Sequence, residues 1–136
     1  MAIFAATDYS VTVAGTDFSD HVSSVELPVS VAELDTTNFG SSGWNEAIGG
    51  LKSATVSINF HQDFASAQVD SVLWSNLGSS VTIVLVPTSG SVSTTNPSFT
   101  FSAVVTDVKP IAATVGDLAV QSISWPVTGA ITRATA

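Results

Sequence analysis

Few side chains in this sequence could do chemistry, and the nearest group of them is His61-Gln62-Asp63. An imidazole and a carboxylate at this spacing could each ligate a metal ion, but two ligands fall short of a tetrahedral set. Asp63 also stands where a helix is predicted to begin, and an N-cap role accounts for it. His61 and the other histidine, His21, fit polar residues at the ends of strands. The sequence therefore predicts no metal site.

No other group of residues meets the requirements of a known catalytic or phosphate-binding arrangement. Serines are abundant, but none lies in a G-x-S-x-G elbow. The glycine-rich segments 40–43 and 49–50 lack the lysine and the helix start of a phosphate-binding loop. Glu33 and Asp35 share one strand parity, but no pattern predicts the cleft that paired catalytic carboxylates need. We therefore expect no enzymatic activity, no cofactor and no small-molecule ligand.

The composition is that of an ordered, strand-rich domain. Of the 136 residues, 45% are hydrophobic and only 10% are charged, and serine, threonine and valine dominate. The chain is long enough to bury a sizeable core. No apolar run approaches the roughly 18 residues of a membrane span, and no basic segment precedes an apolar one at the N-terminus. We expect neither a membrane segment nor a signal peptide.

The charge balance is strongly acidic. Eleven acidic residues face only Lys52, Lys109 and Arg133, for a net charge of −8. Tight binding to nucleic acid draws on phosphate neutralisation by lysine and arginine, which this chain cannot supply. Solubility alone would account for such acidity. The absence of cysteine excludes disulfides and thiol nucleophiles.

Alternating apolar residues predict several strands and one helix. The clearest strand is Leu51–Phe60, and Val25–Val31 also alternates, with Pro28 predicting a sheet edge or a bulge there. Val81–Val86 is almost wholly apolar, which predicts a strand buried on both faces. Helical spacing predicts a helix from Asp63 to Leu77, capped by Asp63 or Ser66. Residues 1–136 are therefore predicted to form one mainly β domain, an antiparallel β-sandwich or barrel of about seven strands with one flanking α-helix.

An extended loop or arm, at about residues 36–50, interrupts this pattern. Between Gly40 and Gly50 the sequence has four glycines and neither helical spacing nor alternation. Trp44 on this polar segment needs an apolar surface, either on another chain or on its own domain. Trp74 and Trp125 lie inside periodic elements and are predicted to be core residues. The predicted subunit-interface residues of the arm are Phe39, Gly40, Gly43, Trp44, Ile48, Gly49, Gly50 and Leu51.

The order of these features resembles that of the tail tube (major tail) proteins of long-tailed bacteriophages. The resemblance runs over roughly residues 9–135. Its segments are VTVAGTDFSDHVSSVEL, ELDTTNFGSSGWNEAIGGLKSATVSINF, NPSFTFSAVVTDVKP and VGDLAVQSISWPVTGAITRAT. The resemblance implies a virion structural protein whose six copies form a ring, with rings stacked into a tube and the arm reaching a neighbouring subunit or the next ring.

The resemblance also implies partners and a location. These are other copies of the chain, the tape-measure protein, tail-end proteins, and double-stranded DNA in transit during ejection, in a phage tail assembled in the host cytoplasm. An acidic, lysine-poor chain could line a pore through which DNA slides without sticking. The residues predicted to line this lumen are Glu26, Glu33, Asp35 and Asp107.

Two other classes of protein remain open from the sequence. One is a capsid decoration or other accessory virion protein on a related β-scaffold, which would form stable monomers or trimers. The other is an adhesin-like carbohydrate-binding sandwich, which would present an aromatic-lined site. Trp44 is the candidate aromatic for such a site, and a single tryptophan makes a poor sugar platform.

Overall fold

One curled antiparallel sheet makes up most of the molecule. The computed structural model describes residues 3–136 and confirms the mainly β fold with one helix. Its strands are β1 (Ser10–Val13), β2 (Thr16–Asp17), β3 (Val22–Glu26), β4 (Val29–Asp35), β5 (Ala47–His61), β6 (Ser80–Val86), β7 (Ser98–Val104) and β8 (Val120–Ala134). The helix α1 is Val69–Ser75, and 3-10 turns occur at Ser19–His21 and Phe39–Ser41.

Seven strands follow one another across the sheet in the order β2-β1-β6-β7-β8-β5-β3, and β4 pairs with β5 off this path. The concave face holds the core. On β5 the alternation predicted from the sequence is observed, because Val56, Ile58 and Phe60 are buried while Thr55 and Asn59 are exposed. The fully buried side chains of the other elements complete one cluster: Val11, Val13, Phe18, Val69, Leu73, Ile83, Ala103, Val105 and Trp125.

The two long strands each change partner halfway. Residues 55–61 of β5 pair with residues 120–126 of β8. Before Thr55, β5 pairs with β4, whereas β8 after Pro126 pairs with β7. The sheet therefore splits at Thr55 and Pro126, where the pairing of β5 with β8 ends. Beyond this point the hairpin formed by β4 and residues 47–54 of β5 extends away from the core.

Pro28 ends one strand and separates it from the next. The predicted strand Val25–Val31 is divided into β3 and β4, with Leu27 and Pro28 between them. Proline has no N–H to give to a ladder, and here its carbonyl accepts from the Thr55 N–H at 3.3 Å. The predicted irregularity at Pro28 is confirmed, and it lies where the hairpin leaves the sheet.

The helix is shorter than predicted. It begins at Val69 rather than near Asp63, and its N-cap, Gln68, makes no side-chain capping bond. The Asp63 carboxylate instead accepts from the Ala65 N–H and meets His21, which is 42 residues away in sequence. No helix within residues 3–136 is long and apolar enough to cross a membrane.

Two predictions about burial are wrong, and one is confirmed. Trp125 is fully buried and donates its indole N–H to the Asp107 carbonyl at 2.8 Å. Trp74 is 60% exposed, because the short helix buries only Val69 and Leu73. The strand β6 is not buried on both faces: its burial alternates along the strand, since its outward residues lie on the uncovered side of the sheet.

Two isoleucines of β5 provide a matched test of this core. Ile58 is 1% exposed, whereas Ile48, on the hairpin, is 58% exposed. Ile58→Ala should lower the free energy of unfolding by about 2–5 kcal/mol through lost apolar burial and a cavity. Ile48→Ala should change it by no more than about 0.5 kcal/mol. Urea titrations of dilute protein would measure both, and equal losses would contradict this core assignment.

Candidate functional site

A two-stranded hairpin is the most exposed part of the fold. It consists of β4, the connecting residues 36–46 and residues 47–54 of β5; we call residues 29–54 the hairpin arm. Every residue of β4 is exposed. The predicted structureless segment from Gly40 to Gly50 is partly wrong, because Ala47 to Gly50 belong to β5 and pair with β4. The arm is thus a two-stranded ribbon, formed by β4 and residues 47–54, with the connecting residues 36–46 as its tip.

Two glycines allow the strands of the ribbon to pack closely. The register shifts between Val31 and Glu33, so that β5 carries an extra residue opposite Ala32. A Cβ on Gly50 would lie 3.2 Å from the Leu34 side chain, and one on Gly49 would lie 3.1 Å from Val31. Larger residues there would push the strands apart, which gives these glycines a packing role.

The tip of the arm is held by its own hydrogen bonds. Asn38 accepts from the Gly40 N–H at 2.8 Å, and its own N–H donates to the Ser41 hydroxyl at 3.1 Å. The Thr37 hydroxyl accepts from the Glu46 N–H at 2.8 Å. These bonds close the loop across its base, so the tip presents its side chains from a defined frame.

Large apolar side chains project from this frame. Trp44 is 77% exposed and Phe39 is fully exposed, so neither packs on its own domain. Ile48 and Leu51 are exposed on the strand below them. Large apolar side chains exposed together on one short segment are typical of interaction surfaces. All of the predicted interface residues lie on the arm, including Gly40 and Gly43.

The four predicted lumen residues do not lie together. Glu33 and Asp35 share a shallow pocket of about 410 Å³ with Asn45, Glu46 and Ala47 beside the tip. Hydrogen bonds from the side chain and N–H of Thr37 lower the pKa of Asp35, so that it stays ionised. Glu26 lies on the convex face of the sheet opposite Ser57. Asp107 pairs with Lys109 at 3.2 Å, beyond the end of β7.

Short hydroxylated side chains cover the convex face of the sheet. The Ser57 and Ser124 hydroxyls are 3.2 Å apart across β5 and β8, and Asn59 donates to the Ser24 hydroxyl at 2.7 Å. We call this surface the hydroxyl face; its other outward residues include Thr55, Ser122, Thr100, Ser102 and Thr82. Alternation in the sequence indicates that these residues point away from the core. That they form one continuous face depends on the order of the strands in the sheet.

A long loop at the other end of the sheet carries a second set of exposed apolar residues. Residues 105–119, which we call the far-end loop, connect β7 to β8. Ile111 is 82%, Val115 102% and Leu118 64% exposed. Residues 110–116 follow no helical or strand period, so nothing in the sequence indicated that Ile111 and Val115 are exposed together at this end of the sheet.

The far-end loop is anchored by two glutamine side chains, the buried Gln121 and the half-buried Gln62. The Gln121 side chain is 1% exposed and accepts from the Lys109 N–H at 2.8 Å. The Gln62 side chain donates to the Pro110 carbonyl at 3.0 Å. Since buried amides are costly unless bonded, these contacts hold the start of the loop against the core. The loop therefore presents Val115 and Leu118 from a fixed base.

The histidine and carboxylate candidates form an ion-pair cluster instead of a metal site. His21 lies 2.7 Å from Asp20 and 2.8 Å from Asp63, through its two ring nitrogens. His61 is not part of this cluster, and residues 3–136 contain no group of three ligating side chains that could hold a metal ion. The cluster ties the segment before α1 to the turn after β2.

The fold defined by these features is a curled antiparallel sheet with one short helix and a projecting hairpin. It resembles a chain in the virion of a native gene transfer agent particle, with a TM-score of 0.69 and 16% identity over 93% of this chain and 95% of that chain. It also resembles a chain in the tail of an empty gene transfer agent particle, determined with helical refinement and C6 symmetry. There the TM-score is 0.52 and the identity 15%, over 82% of this chain and 81% of that chain.

No protein-family model and no curated protein matches the sequence. At identities this low, the structural likeness establishes the fold alone. The likeness adds to the geometry the fact that this fold occurs in virion and tail particles.

The ion-pair cluster makes stability depend on pH. The Asp20 and Asp63 carboxylates raise the pKa of His21, and the Ala65 N–H and His21 lower the pKa of Asp63. The raised pKa means that the histidine contributes stability in full below about pH 6.5, and that this stability is lost as the pH rises through its folded-state pKa. His21→Gln should therefore destabilise the protein more at about pH 5.5 than at about pH 8.5. Urea unfolding at both values would measure this, and an equal loss at both would contradict it.

Proposed function

We propose that this chain is a virion structural protein that self-assembles into stacked hexameric rings, and that these rings form a tail tube through which double-stranded DNA passes. The observation that carries the proposal is the hairpin arm. It is a hydrogen-bonded ribbon that leaves Phe39 and most of the Trp44 side chain exposed to solvent. Burial of such residues against another copy is the available source of stability.

Closing of the ring would use the open edges of the sheet. The strands β3 and β2 lie at the two ends of the strand order, and among residues 3–136 each pairs with a strand on one side only. Unpaired edges invite another strand, and a closed ring of identical subunits removes them. The likeness to a chain from a tail with C6 symmetry supports six copies for this ring.

The hydroxyl face supplies a surface suited to a DNA channel. Serine, threonine and asparagine side chains bind water and carry no cation that would hold a phosphate. Glu26 adds a carboxylate to this face. We propose that the face lines the lumen with Glu26, while Glu33, Asp35 and Asp107 lie at its ends. The tape-measure protein would fill the lumen before DNA passes, and tail-end proteins would close the tube.

The direct test is negative-stain electron microscopy of the purified chain at increasing concentration. Rings with sixfold symmetry, or tubes built from them, are expected. A chain that stays monomeric or trimeric would refute the tube and favour an accessory virion protein. In the proposed setting the protein resides in the virion, after assembly in the host cytoplasm, and its role there is structural rather than enzymatic.

Two exposed tryptophans offer a matched test of the arm. Trp44 on the arm is 77% exposed, and Trp74 on α1 is 60% exposed, so neither substitution removes much core packing. Trp44→Ala should abolish rings and tubes, since interface aromatics commonly contribute about 2 kcal/mol or more. Trp74→Ala should leave assembly intact. Sedimentation and microscopy would compare them. Undisturbed polymerisation of Trp44→Ala would contradict an assembly role for the tip.

A further inference from the structure

The half-closed sheet leaves an apolar opening at the base of the hairpin arm. This opening, which we call the mouth, has a volume of about 540 Å³. Apolar side chains of β3, β4, β6, β7 and β8 line it, among them Val25, Leu27, Val29, Leu85, Phe99 and Ile131. The core cluster ends here: Leu85 is buried, Val25, Leu27, Phe99 and Ile131 are half-buried against it, and Val29 at the rim is exposed. The mouth is thus a concave continuation of the core surface.

Two charged residues border the mouth, Arg133 and Glu26. The strand register places the Glu26 side chain on the hydroxyl face, so Arg133 is the charged side chain beside the apolar lining. The Arg133 guanidinium lies 5.9 Å from the centre of the Phe99 ring and forms no ion pair with any of residues 3–136. In a chain with three cationic side chains and a net charge of −8, an unpaired arginine beside an apolar cavity favours an incoming carboxylate.

The far-end loop presents apolar side chains and a carboxylate, which are complementary to the apolar lining and the arginine of the mouth. A tight turn, closed by the Asp117 N–H donating to the Thr114 carbonyl at 3.0 Å, places Val115 at its apex. Leu118 and Ile111 flank the turn, and both are exposed. Asp117 lies two residues after the apex and is exposed as well. The loop therefore offers apolar side chains with one carboxylate beside them.

The two surfaces lie at opposite ends of the sheet. The mouth is at the level of Thr55 on β5, where the strands separate, and the far-end loop enters β8 beside His61. Six residue steps separate these levels, which is about 20 Å along a strand. Complementary surfaces at opposite ends of one chain cannot satisfy each other, so they are placed for a head-to-tail contact between successive copies. Where such a contact repeats without closing on itself, it produces a filament.

We propose that the far-end loop of one copy inserts into the mouth of the next, with Val115 in the apolar cavity and Asp117 facing Arg133. The inference rests on the proposed function, since it assigns the contact through which one ring stacks on another. The hairpin arm, which continues from Val29 at the rim of the mouth, then lies alongside the inserted copy. Because the mouth and the far-end loop differ, all rings of the stack face the same direction.

Cysteine pairs test this contact directly, because the chain has no cysteine of its own. Val29 at the mouth and Val115 on the loop are both exposed, so neither substitution disturbs the core. A chain carrying Val29→Cys and Val115→Cys should form a ladder of disulfide-linked oligomers on mild oxidation, seen on non-reducing gels. The matched control carries Val115→Cys with Ser124→Cys on the hydroxyl face, and it should form no ladder.

The outcomes separate this inference from the proposed function. Wild-type tubes together with a Val29–Val115 ladder support both. Wild-type tubes without that ladder, or with an equal ladder in the Ser124 control, overturn the inference and leave the tube standing. A wild-type chain that forms neither rings nor tubes overturns the proposed function and this contact with it.

A charge exchange provides a second, independent test. Arg133→Glu and Asp117→Arg should each reduce the amount of sedimentable polymer by about tenfold or more, because each places like charges in contact. The double variant restores the pair in reversed order and should recover polymer to near the wild-type amount. Circular dichroism would confirm that all three variants are folded. Failure of the double variant to recover polymer while remaining folded would overturn the Asp117–Arg133 contact.

Discussion

One uninterrupted strand of 15 residues, β5, couples the core of this protein to its most exposed surface. A strand alternates its side chains between two faces, so the burial of Val56, Ile58 and Phe60 fixes the orientation of residues before them. Slipping the register of β5 by one residue would expose the core and turn the arm over. The extra residue near Gly50 bends this strand without releasing it from β4. The arm is therefore oriented by packing that lies well outside it.

Electrostatics limits how copies of this chain can meet. Each copy carries a net charge of −8, so identical copies repel one another at distances up to a Debye length of about 10 Å. Attraction must then come from short-range contacts, which means apolar burial and a few paired charges. The exposed apolar side chains are concentrated on the arm and the far-end loop, where contact could outweigh the repulsion. The hydroxyl face, which lacks such side chains, is unsuited to adhesion.

Features of this fold that depend on neighbouring residues in the chain could be predicted from the sequence, whereas features that depend on distant residues could not. The period of two in β5 and the burial of Trp125 could be predicted, because each is set by neighbouring residues in one strand. The start of α1 could not, since Asp63 is engaged by His21 from a distant turn. The strand character of Ala47 to Gly50 depends on pairing with β4, and glycines alone indicated a loop. The apolar residues of the far-end loop follow no period, so only the folded chain shows them gathered at one end.

The hairpin arm also bears on how assembly would start. A ribbon of two strands, exposed on both faces, is only marginally stable in water, so in a free subunit β4 opens more readily than the rest of the sheet. Holding it closed costs roughly 1–2 kcal/mol of backbone entropy for each residue ordered. In the proposed tube, the first copies to associate must order the arm while forming few contacts that offset the lost entropy. A copy that joins a finished ring forms all of its contacts at once. Growth on an existing ring is then faster than the formation of a new ring, so the first rings form slowly and tubes lengthen quickly once rings are present.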